Sequence, residues 1–265
     1  MSMKPLIRDS LPMSWQVPVK YWYNRLRGTL EDEMQILESL VCPGDRAIDI
    51  GGNRGVYAYS LWRLGAEVDV FEPNPACVRI LSAWAAGKSR VKIHPAALSN
   101  RDGSTSLHIP VDRYGVEHDA SASIEHSGFE NSRDETVTLQ TLDSCAFDRV
   151  GLIKIDVEGH EHDVIEGSAN TLRSSRPALL VEIEQRHSAR PIQEMFEQIL
   201  GFGYHGFFLD HGKMKSLDDF NVARHQSPDN FGKPGKPYIN NFVFLHESKV
   251  AEGVYSILLG SREAK

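Results

Sequence analysis

Residues 46–55 read R-A-I-D-I-G-G-N-R-G, and they decide the fold prediction. A short apolar strand at 46–51 carries a carboxylate, Asp49, near its end, and glycines follow in the next turn. In an open α/β sheet, ligands bind beyond the carboxyl ends of the strands, and glycine lets the backbone approach them without a Cβ clash. The stretch therefore predicts a strand and a turn that hold a nucleotide-like ligand.

Similar short runs, rich in valine and isoleucine, recur further along the chain and alternate with helical stretches. This alternation is typical of a parallel sheet covered by helices on both faces. Asn74 and Pro75 suit the N-cap and first position of one helix. The predicted strands are 46–51, 67–72, 91–98, 151–158 and 177–184, and the predicted helices are 56–64, 74–85, about 160–173 and 191–200.

Two stretches do not follow this alternation of strands and helices. Within 99–142, the segments 105–110 and 136–142 alternate like antiparallel strands around a polar loop at 113–135. Later, 204–210 and 241–247 indicate a closing pair of strands, separated by a stretch at 211–240 rich in glycine, proline and asparagine. We expect three parts: an N-terminal helical extension (1–42), a main domain (43–250) with insertion loops 99–142 and 211–240, and a C-terminal tail (251–265).

Composition excludes several classes of protein. The formal net charge is −7 without a basic run, so nucleic acid is not an expected partner. Cys42, Cys77 and Cys145 lack disulfide or zinc-ligand spacing, which favours a reducing cytoplasm. No apolar stretch is long enough for a signal peptide or a membrane span, so we expect a cytoplasmic protein without an integral membrane segment.

The N-terminal extension is unusually aromatic and basic. An amphipathic helix from about 30 to 40 is expected to follow these aromatic and basic residues. Two interpretations stay open for the aromatic side chains: they pack the extension onto the domain, or they cover the active site or form a dimer contact. The cluster consists of Trp15, Tyr21, Trp22, Tyr23, Arg25 and Arg27.

The glycine turn does not fit a dinucleotide fingerprint. If Gly51 is the first glycine of G-x-G-x-x-G, Asn53 and Val56 stand where the other two belong. A cofactor without a pyrophosphate is favoured, and S-adenosylmethionine is such a molecule. Asp49 would accept from its ammonium group, while Glu72, at the end of the second strand, suits two ribose hydroxyls. Ala96, Ala97 and Leu98 would lie against adenine, or simply pack in the core.

The segment 154–161, K-I-D-V-E-G-H-E, places charged side chains at the end of a predicted buried strand, beside the predicted crevice. Strand alternation places Lys154, Asp156 and Glu158 on one face. Glu182 and Glu184 of the next strand would bring further carboxylates close to them. A shared proton, a bound cation or Lys154 must then relieve the repulsion.

These residues together resemble the FkbM-type methyltransferases. The pattern of that family is D-x-G-x-N-x-G, F-E-P, L-D, K-I-D-V-E-G-x-E and R-P-x-L-x-x-E, and the match covers roughly 46–185. In this chain its elements stand at 49–55, 71–73, 142–143, 154–161 and 176–182.

The resemblance implies a Rossmann-like, seven-stranded methyltransferase sheet, mostly parallel with an antiparallel closing strand. It also implies S-adenosylmethionine as methyl donor and a hydroxyl acceptor on a sugar, a glycan or a polyketide-like natural product. His160 occupies a variable position of the pattern and inherits no role. The expected cofactor-binding residues are Asp49, Gly51, Asn53, Gly55, Glu72, Pro73, Ala97 and Leu98.

Methylation of a hydroxyl needs a base within hydrogen-bond reach or a cation that stabilises the alkoxide. We hypothesise that Asp156 or Glu182 orients the acceptor hydroxyl and that His160 or Glu158 takes its proton. A magnesium ion on Asp156 and Glu182, with Glu158, is conceivable because oxygen ligands suit that ion. Salt bridges to Lys154 explain the same residues, so metal dependence is not favoured.

Two alternatives come from other classes. A nicotinamide-dependent dehydrogenase would share the first strand and Glu72, but the missing glycines disfavour it. A non-catalytic cofactor-binding protein would lack the acidic strand end. The expected partner is a small-molecule or glycan acceptor, walled by 113–135 and 211–240, and a homo-oligomer is conceivable.

Overall fold

A computed structural model of the chain shows a central sheet flanked by helices and a smaller second sheet. The residues that the structure describes are 11–112, 117, 122–125, 131–188, 190–231, 233 and 238–260. The strands are β1 (Arg46–Ile50), β2 (Glu67–Phe71), β3 (Val91–His94), β4 (Ala97–Leu98), β5 (Gly103–Pro110), β6 (Ser132–Gln140), β7 (Val150–Ile155), β8 (Ala178–Glu182), β9 (Tyr204–Asp210), β10 (Lys213–Ser216) and β11 (Asn241–His246).

The central sheet is mostly parallel, as predicted. Its order is β10-β9-β11-β8-β7-β1-β2-β3. Strands β3, β2, β1, β7 and β8 pair in parallel, and β11 inserts antiparallel between β8 and β9. β1 is the middle one of these five parallel strands, with β2 and β3 on one side and β7 and β8 on the other. Ligands bind at such a switch point in the strand order.

The central sheet has eight strands rather than the expected seven. The additional strand is β10, which lies inside the stretch 211–240 that was predicted as a loop. His211 and Gly212 both take positive φ angles, 51° and 73°, as a tight hairpin turn between β9 and β10 requires. An Asp-His-Gly turn was the available signal for this hairpin.

The predicted third strand at 91–98 is divided. β3 ends at His94, and the chain after Pro95 leaves the central sheet, because proline has no N–H for the ladder. β4 instead pairs with β6, which also pairs antiparallel with β5. The antiparallel strands predicted within 99–142 are therefore confirmed, and they form a separate three-stranded sheet.

Helices cover both faces of the central sheet because its strands alternate in side-chain direction. Ala47 and Leu152 face one helical layer, while Ile48 and Ile153 face the other. The helices are α1 (Met13–Arg27), α2 (Leu37–Leu40), α3 (Val56–Arg63), α4 (Pro75–Ala85), α5 (Glu161–Glu166), α6 (Ala169–Ser175), α7 (Ile192–Leu200), α8 (Val222–His225) and α9 (Glu247–Ala251).

Two helix predictions were wrong in detail. The helix expected over about 160–173 breaks into α5 and α6 at Gly167, where a Cβ would lie 1.9 Å from the Ser99 carbonyl oxygen. The amphipathic helix expected over 30–40 is a 3₁₀ turn, Asp32–Gln35, followed by the single turn α2. The Asn74 cap is confirmed: its side chain accepts from the Ala76 N–H.

The N-terminal segment packs on α3 and α4 through one face of α1. Val17 and Tyr21 are buried there, and the Tyr21 ring contacts Tyr59. Trp15 and Trp22 point outward, so packing accounts for only part of the aromatic cluster. No helix in the described part of the chain has the length and apolar character to cross a bilayer.

Candidate active site

Two clefts open at the carboxyl edge of the central sheet. The first comprises about 600 Å³ of space, part of which is open to solvent. The insertion between β4 and β6 covers it with Leu107, Ala122, Ser123 and Ile124. Its other walls are Ile50, Gly51, Asn53, Phe71, Glu72, Pro73, Ala96, Ala97, Leu98, Asp156, Val157, Glu158 and His160.

The second cleft, of about 570 Å³, lies between the glycine turn and the N-terminal segment. It shares Gly51, Asn53 and Asp156 with the first cleft, so the two meet at the end of β1. The remaining walls are Lys20, Asn24, Thr29, Leu30, Glu31, Met34, Asp49, Gly52, Arg54, Val56 and Tyr57.

The turn after β1 requires glycine for steric reasons. Gly51 has φ +79°, and a Cβ there would lie 1.8 Å from the Asp156 carbonyl oxygen. At Gly52 a Cβ would come within 2.2 Å of a Val70 methyl group. Contacts within the protein therefore require glycine at both positions, and the turn lies on the walls of the clefts.

Glu72 braces this turn. Its carboxylate accepts from the Asn53 N–H at 2.6 Å and from the Asn74 N–H at 2.7 Å. Glu72 thus ties the ends of β1 and β2 together at the wall of the first cleft. A carboxylate only accepts hydrogen bonds, and Glu72 stands on the wall of the first cleft.

Asp49 is almost completely buried below the glycine turn, with 1% of its surface exposed. Its Oδ2 atom has no hydrogen-bond partner among the described residues. Burial raises the pKa of Asp49 to about 6, with Lys154 opposing and Asp156 adding to the shift. An unpaired buried carboxylate oxygen beside a cleft is a ready acceptor for a cationic donor.

Lys154 is the buried cation of the site. Its Nζ lies 3.0 Å from Asp156 Oδ2 and 4.8 Å from the centre of the Tyr57 ring. Burial by itself would lower the pKa of Lys154, but the surrounding carboxylates outweigh it and raise the pKa above its ordinary value. The charged ammonium is held there by Asp156, Glu182, Glu31 and Asp49.

The predicted alternation of 154, 156 and 158 stops early because β7 ends at Ile155. Glu158 takes a left-handed φ of 53° and turns towards His187, whose Nε2 lies 3.3 Å from Glu158 Oε2. Burial, reinforced by Asp156 and Glu184, raises the pKa of Glu158 to about 8. A carboxyl group with such a pKa exchanges protons near neutral pH.

Glu182 is the last residue of β8, and Glu184 follows it two residues later. Burial, with Asp156 next, raises the pKa of Glu182. Glu184 remains ionised because Arg186 binds it at 2.5 and 2.9 Å and the Tyr238 hydroxyl donates to it at 2.5 Å. Asn240 donates to Glu182 at 2.7 Å.

His160 lines the first cleft, but both ring nitrogens already have partners. Nδ1 lies 2.7 Å from Glu125 and Nε2 lies 2.9 Å from the Ser99 hydroxyl. Through these bonds His160 holds the insertion against the central sheet. The geometry favours this local role over proton abstraction from a substrate.

The remaining predicted residues fall in different places. Pro73, Ala97 and Leu98 line the first cleft, whereas Gly55 precedes α3 and packs against Leu81 and Val17. Within the described residues, Asp156, Glu158 and Glu182 do not converge as a three-ligand metal cluster. The magnesium site on these carboxylates is therefore not supported, because Lys154 supplies the positive charge.

Comparison with known proteins decides the family. The profile described as "Methyltransferase FkbM domain" matches residues 49–209, which is more than half of the chain. The chain belongs to the FkbM methyltransferase family. It is accordingly a methyltransferase, and the end of β1, the glycine turn and the wall that the two clefts share lie within the matched range.

Two curated relatives are methyltransferases. The chain is 28% identical over 189 residues to the 2-O-methyltransferase NoeI of Sinorhizobium fredii, covering 64% of this chain and 77% of the relative. It is 24% identical over 215 residues to the hexuronic acid methyltransferase AglP of Haloferax volcanii, covering 76% of this chain and 79% of the relative.

The crystal structure of an FkbM methyltransferase from Methylobacillus flagellatus has a similar fold. The TM-score is 0.51 at 14% identity, and the match covers 90% of this chain. This chain spans 57% of the length of that one. At this identity the likeness concerns the fold alone.

Some family motif residues in this chain are structural. Asp143 accepts from the backbone N–H groups of Asn170 and Thr171, each at 2.8 Å, at the start of α6. Glu161 is buried and accepts from the Gly159 N–H at 2.9 Å, which fixes the turn after β7. These two motif carboxylates shape the chain around the site.

Sequence reasoning missed a polar group that connects the N-terminal segment to the sheet. Glu31 accepts from the Tyr57 hydroxyl at 2.5 Å and from the Asn241 amide at 3.3 Å. His187, next to Glu158, was missed as well. No motif marks these residues, and Glu31 and Asn241 lie at opposite ends of the chain.

Proposed function

We propose that the enzyme is an S-adenosylmethionine-dependent O-methyltransferase whose acceptor is a hydroxyl of a sugar or glycan. The observation that carries the proposal is the junction of the two clefts at Gly51. Bare backbone, the unpaired Oδ2 of Asp49 and the carboxylate of Asp156 meet there. This arrangement suits a ligand with a nucleoside on one side and a cationic amino-acid tail on the other.

The first cleft fits the nucleoside. Glu72 on its wall is an acceptor suited to ribose hydroxyls, and Ala97 and Leu98 offer a small apolar wall for adenine. The second cleft fits the amino-acid tail, with Asp49 as acceptor for its ammonium group. In this proposal the N-terminal extension supplies the outer wall of the tail site, and residues from 43 to 250 form the catalytic domain.

S-adenosylmethionine, when bound, supplies a methyl group on a positively charged sulfur. The residues around the junction of the clefts are predominantly acidic, and Lys154 is the buried cation among them. A carboxylate-rich, partly desolvated site favours a cationic ligand by direct electrostatic attraction. Asp156 lies on the shared wall and is the proposed group that orients the acceptor hydroxyl.

Glu158 is the proposed general base. In its ionised form it accepts the proton from the acceptor hydroxyl, and the His187 Nε2 atom lies 3.3 Å from its Oε2 atom. Asp156 and Glu158 both lie on the wall of the first cleft, so the roles of orienting group and of base fall on two carboxyl groups that are close in the chain.

The sugar acceptor is supported by the names of the two curated relatives, a 2-O-methyltransferase and a hexuronic acid methyltransferase. The chain offers a suitable wall beside Glu184. Tyr238 and Arg186 both bind Glu184, and the Arg186 guanidinium lies 3.9 Å from the centre of the Phe231 ring. Aromatic and planar polar groups of this kind pack against and hydrogen-bond sugar rings.

The first experiment is calorimetric titration with S-adenosylmethionine and, separately, with NAD⁺. Binding of S-adenosylmethionine but not of NAD⁺ supports the proposal. Tighter binding of NAD⁺ would instead support the dehydrogenase alternative. Methyl transfer from labelled donor to a panel of mono- and oligosaccharides, including uronic acids, then tests the acceptor. Donor binding without transfer to any sugar would contradict the acceptor class but leave the cofactor assignment intact.

A further inference from the structure

The outward face of α1 carries an apolar stripe that no described residue covers. Trp15, Val19, Trp22 and Leu26 follow one another at intervals of four, three and four residues, so they lie on one side of the helix. Trp15 is 64% exposed and Leu26 is 85% exposed. The opposite side of the helix, with Val17 and Tyr21, is buried in the core.

Helix α1 is also basic in an acidic protein. It contains Lys20, Arg25 and Arg27 and no acidic residue, although the whole chain has a formal net charge of −7. The Arg25 and Arg63 guanidinium groups lie 5.6 Å and 4.9 Å from the centre of the Trp22 ring. Positive charge therefore lies against exposed Trp22.

The positive surface continues onto the neighbouring helices. Lys88, after α4, lies 5.7 Å from the Trp62 ring of α3, and Arg90 lies 5.8 Å from the same ring. Trp62 in turn contacts Tyr59, which contacts Tyr21 of α1. Basic side chains therefore lie beside half-buried Trp62 as well as beside Trp22, while Tyr59 and Tyr21, which join the two regions, are buried in the core.

We propose that this surface, the α1 face, binds the headgroup region of a membrane that contains anionic lipids. Tryptophan and leucine insert favourably at the boundary between headgroups and acyl chains, and flanking basic residues are attracted to anionic lipids. A second copy of the chain would present the same positive helix, so like charges would oppose self-association. The proposal concerns a surface outside both clefts and does not depend on the acceptor.

The test is flotation of the purified full chain with vesicles of phosphatidylcholine alone or mixed with phosphatidylglycerol. We expect binding to the mixed vesicles only, weakened by salt, together with a blue shift of tryptophan emission. Trp15→Ser, Trp22→Ser and Leu26→Ser combined should abolish binding, and Arg27→Glu should weaken it roughly tenfold. Methyl transfer to a soluble acceptor should stay unchanged in these variants.

The matched control is Val254→Ser with Ile257→Ser. These apolar side chains are 57% and 94% exposed but lie after α9, away from α1. The control should bind vesicles like the parent protein. The proposal is overturned if the parent does not float, if the control loses binding equally, or if the parent is a dimer that the α1 variant converts to a monomer.

Discussion

At the scale of single residues, the site depends on carboxyl groups whose different surroundings give them different tasks. Asp49 is buried, and its Oδ2 atom has no hydrogen-bond partner among the described residues. Glu72 accepts from backbone N–H groups, and the pKa of Glu158 is raised to about 8. All three are acidic side chains, and sequence motifs identify them equally well. Their environments, not their types, assign the proposed roles.

Asp49→Asn should weaken S-adenosylmethionine binding roughly tenfold or more, because a charge-assisted hydrogen bond to the ammonium group is lost. Calorimetric titration measures the change. Asp69→Asn is the matched control, since Asp69 is also a buried strand carboxylate but pairs with His94 and Arg46 outside the clefts. Equal weakening in both variants would contradict the role of Asp49.

Glu158→Gln should lower kcat by roughly a hundredfold while KM for the donor changes little, as expected for loss of a general base. In the parent enzyme kcat should rise with pH and level off above about 8, because only the ionised carboxylate accepts a proton. The amide variant should lose this rise. A pH profile that is the same in parent and variant would rule out Glu158 as the base.

At the scale of elements, the glycine turn after β1 joins both clefts. Its backbone passes so close to the end of β7 that Gly51 cannot carry a side chain. β2 contributes Glu72 through the same turn, and β7 and β8 contribute the acidic groups. The ends of four strands therefore have to be in register for the site to form.

Gly51→Ala should destabilise the protein and abolish donor binding, since its Cβ would overlap the Asp156 carbonyl oxygen. Gly87→Ala is the matched control. Gly87 also has a positive φ, +76°, but a Cβ there meets nothing within 4 Å, so it should cost only about 1 kcal/mol. The melting temperatures of the two variants separate the cost of the Cβ clash at Gly51 from the cost of a positive φ, which both positions share. Equal losses in the two variants would mean that close contact at Gly51 is unimportant.

At the scale of the whole molecule, several buried carboxyl groups bind protons more tightly in the folded state. Burial raises the pKa of Glu33 and of Glu161 to about 7 and that of Glu158 to about 8, from an ordinary value of 4.5. At these three groups the folded state therefore binds more protons than the unfolded state between these values. Their contribution to stability is fully present below the unfolded pKa and is lost as pH rises through the folded values.

The melting temperature of the ligand-free protein should accordingly fall between about pH 5 and pH 9. Glu158→Gln should make this decline shallower, because one of the shifted groups is removed. Glu194→Gln, an exposed change on α7, should leave the slope unaltered. A melting temperature that rises over this range would show that the buried carboxyl groups are not protonated as described.

The sequence by itself determined the class of fold and the glycine turn at the end of β1. Periodic apolar runs gave the parallel strands, and the motifs at 49–55 and 154–161 marked the two strand ends that meet. These features are local, since strand periodicity and glycine turns are set by neighbouring residues. For the same reason β10 was missed: its short polar segment, K-M-K-S, carries no periodic signal.

Only the tertiary structure decided which charged groups act together. The sequence identified Lys154 as a charged residue near the site. Its ion pair with Asp156 forms just after β7 ends at Ile155. Glu31 reaches Tyr57 and Asn241 from segments far apart in the chain, and His187 reaches Glu158 across two loops. Contacts of this kind, and the burial that shifts the pKa of each carboxyl group, arise from packing between distant segments and leave no pattern in the sequence.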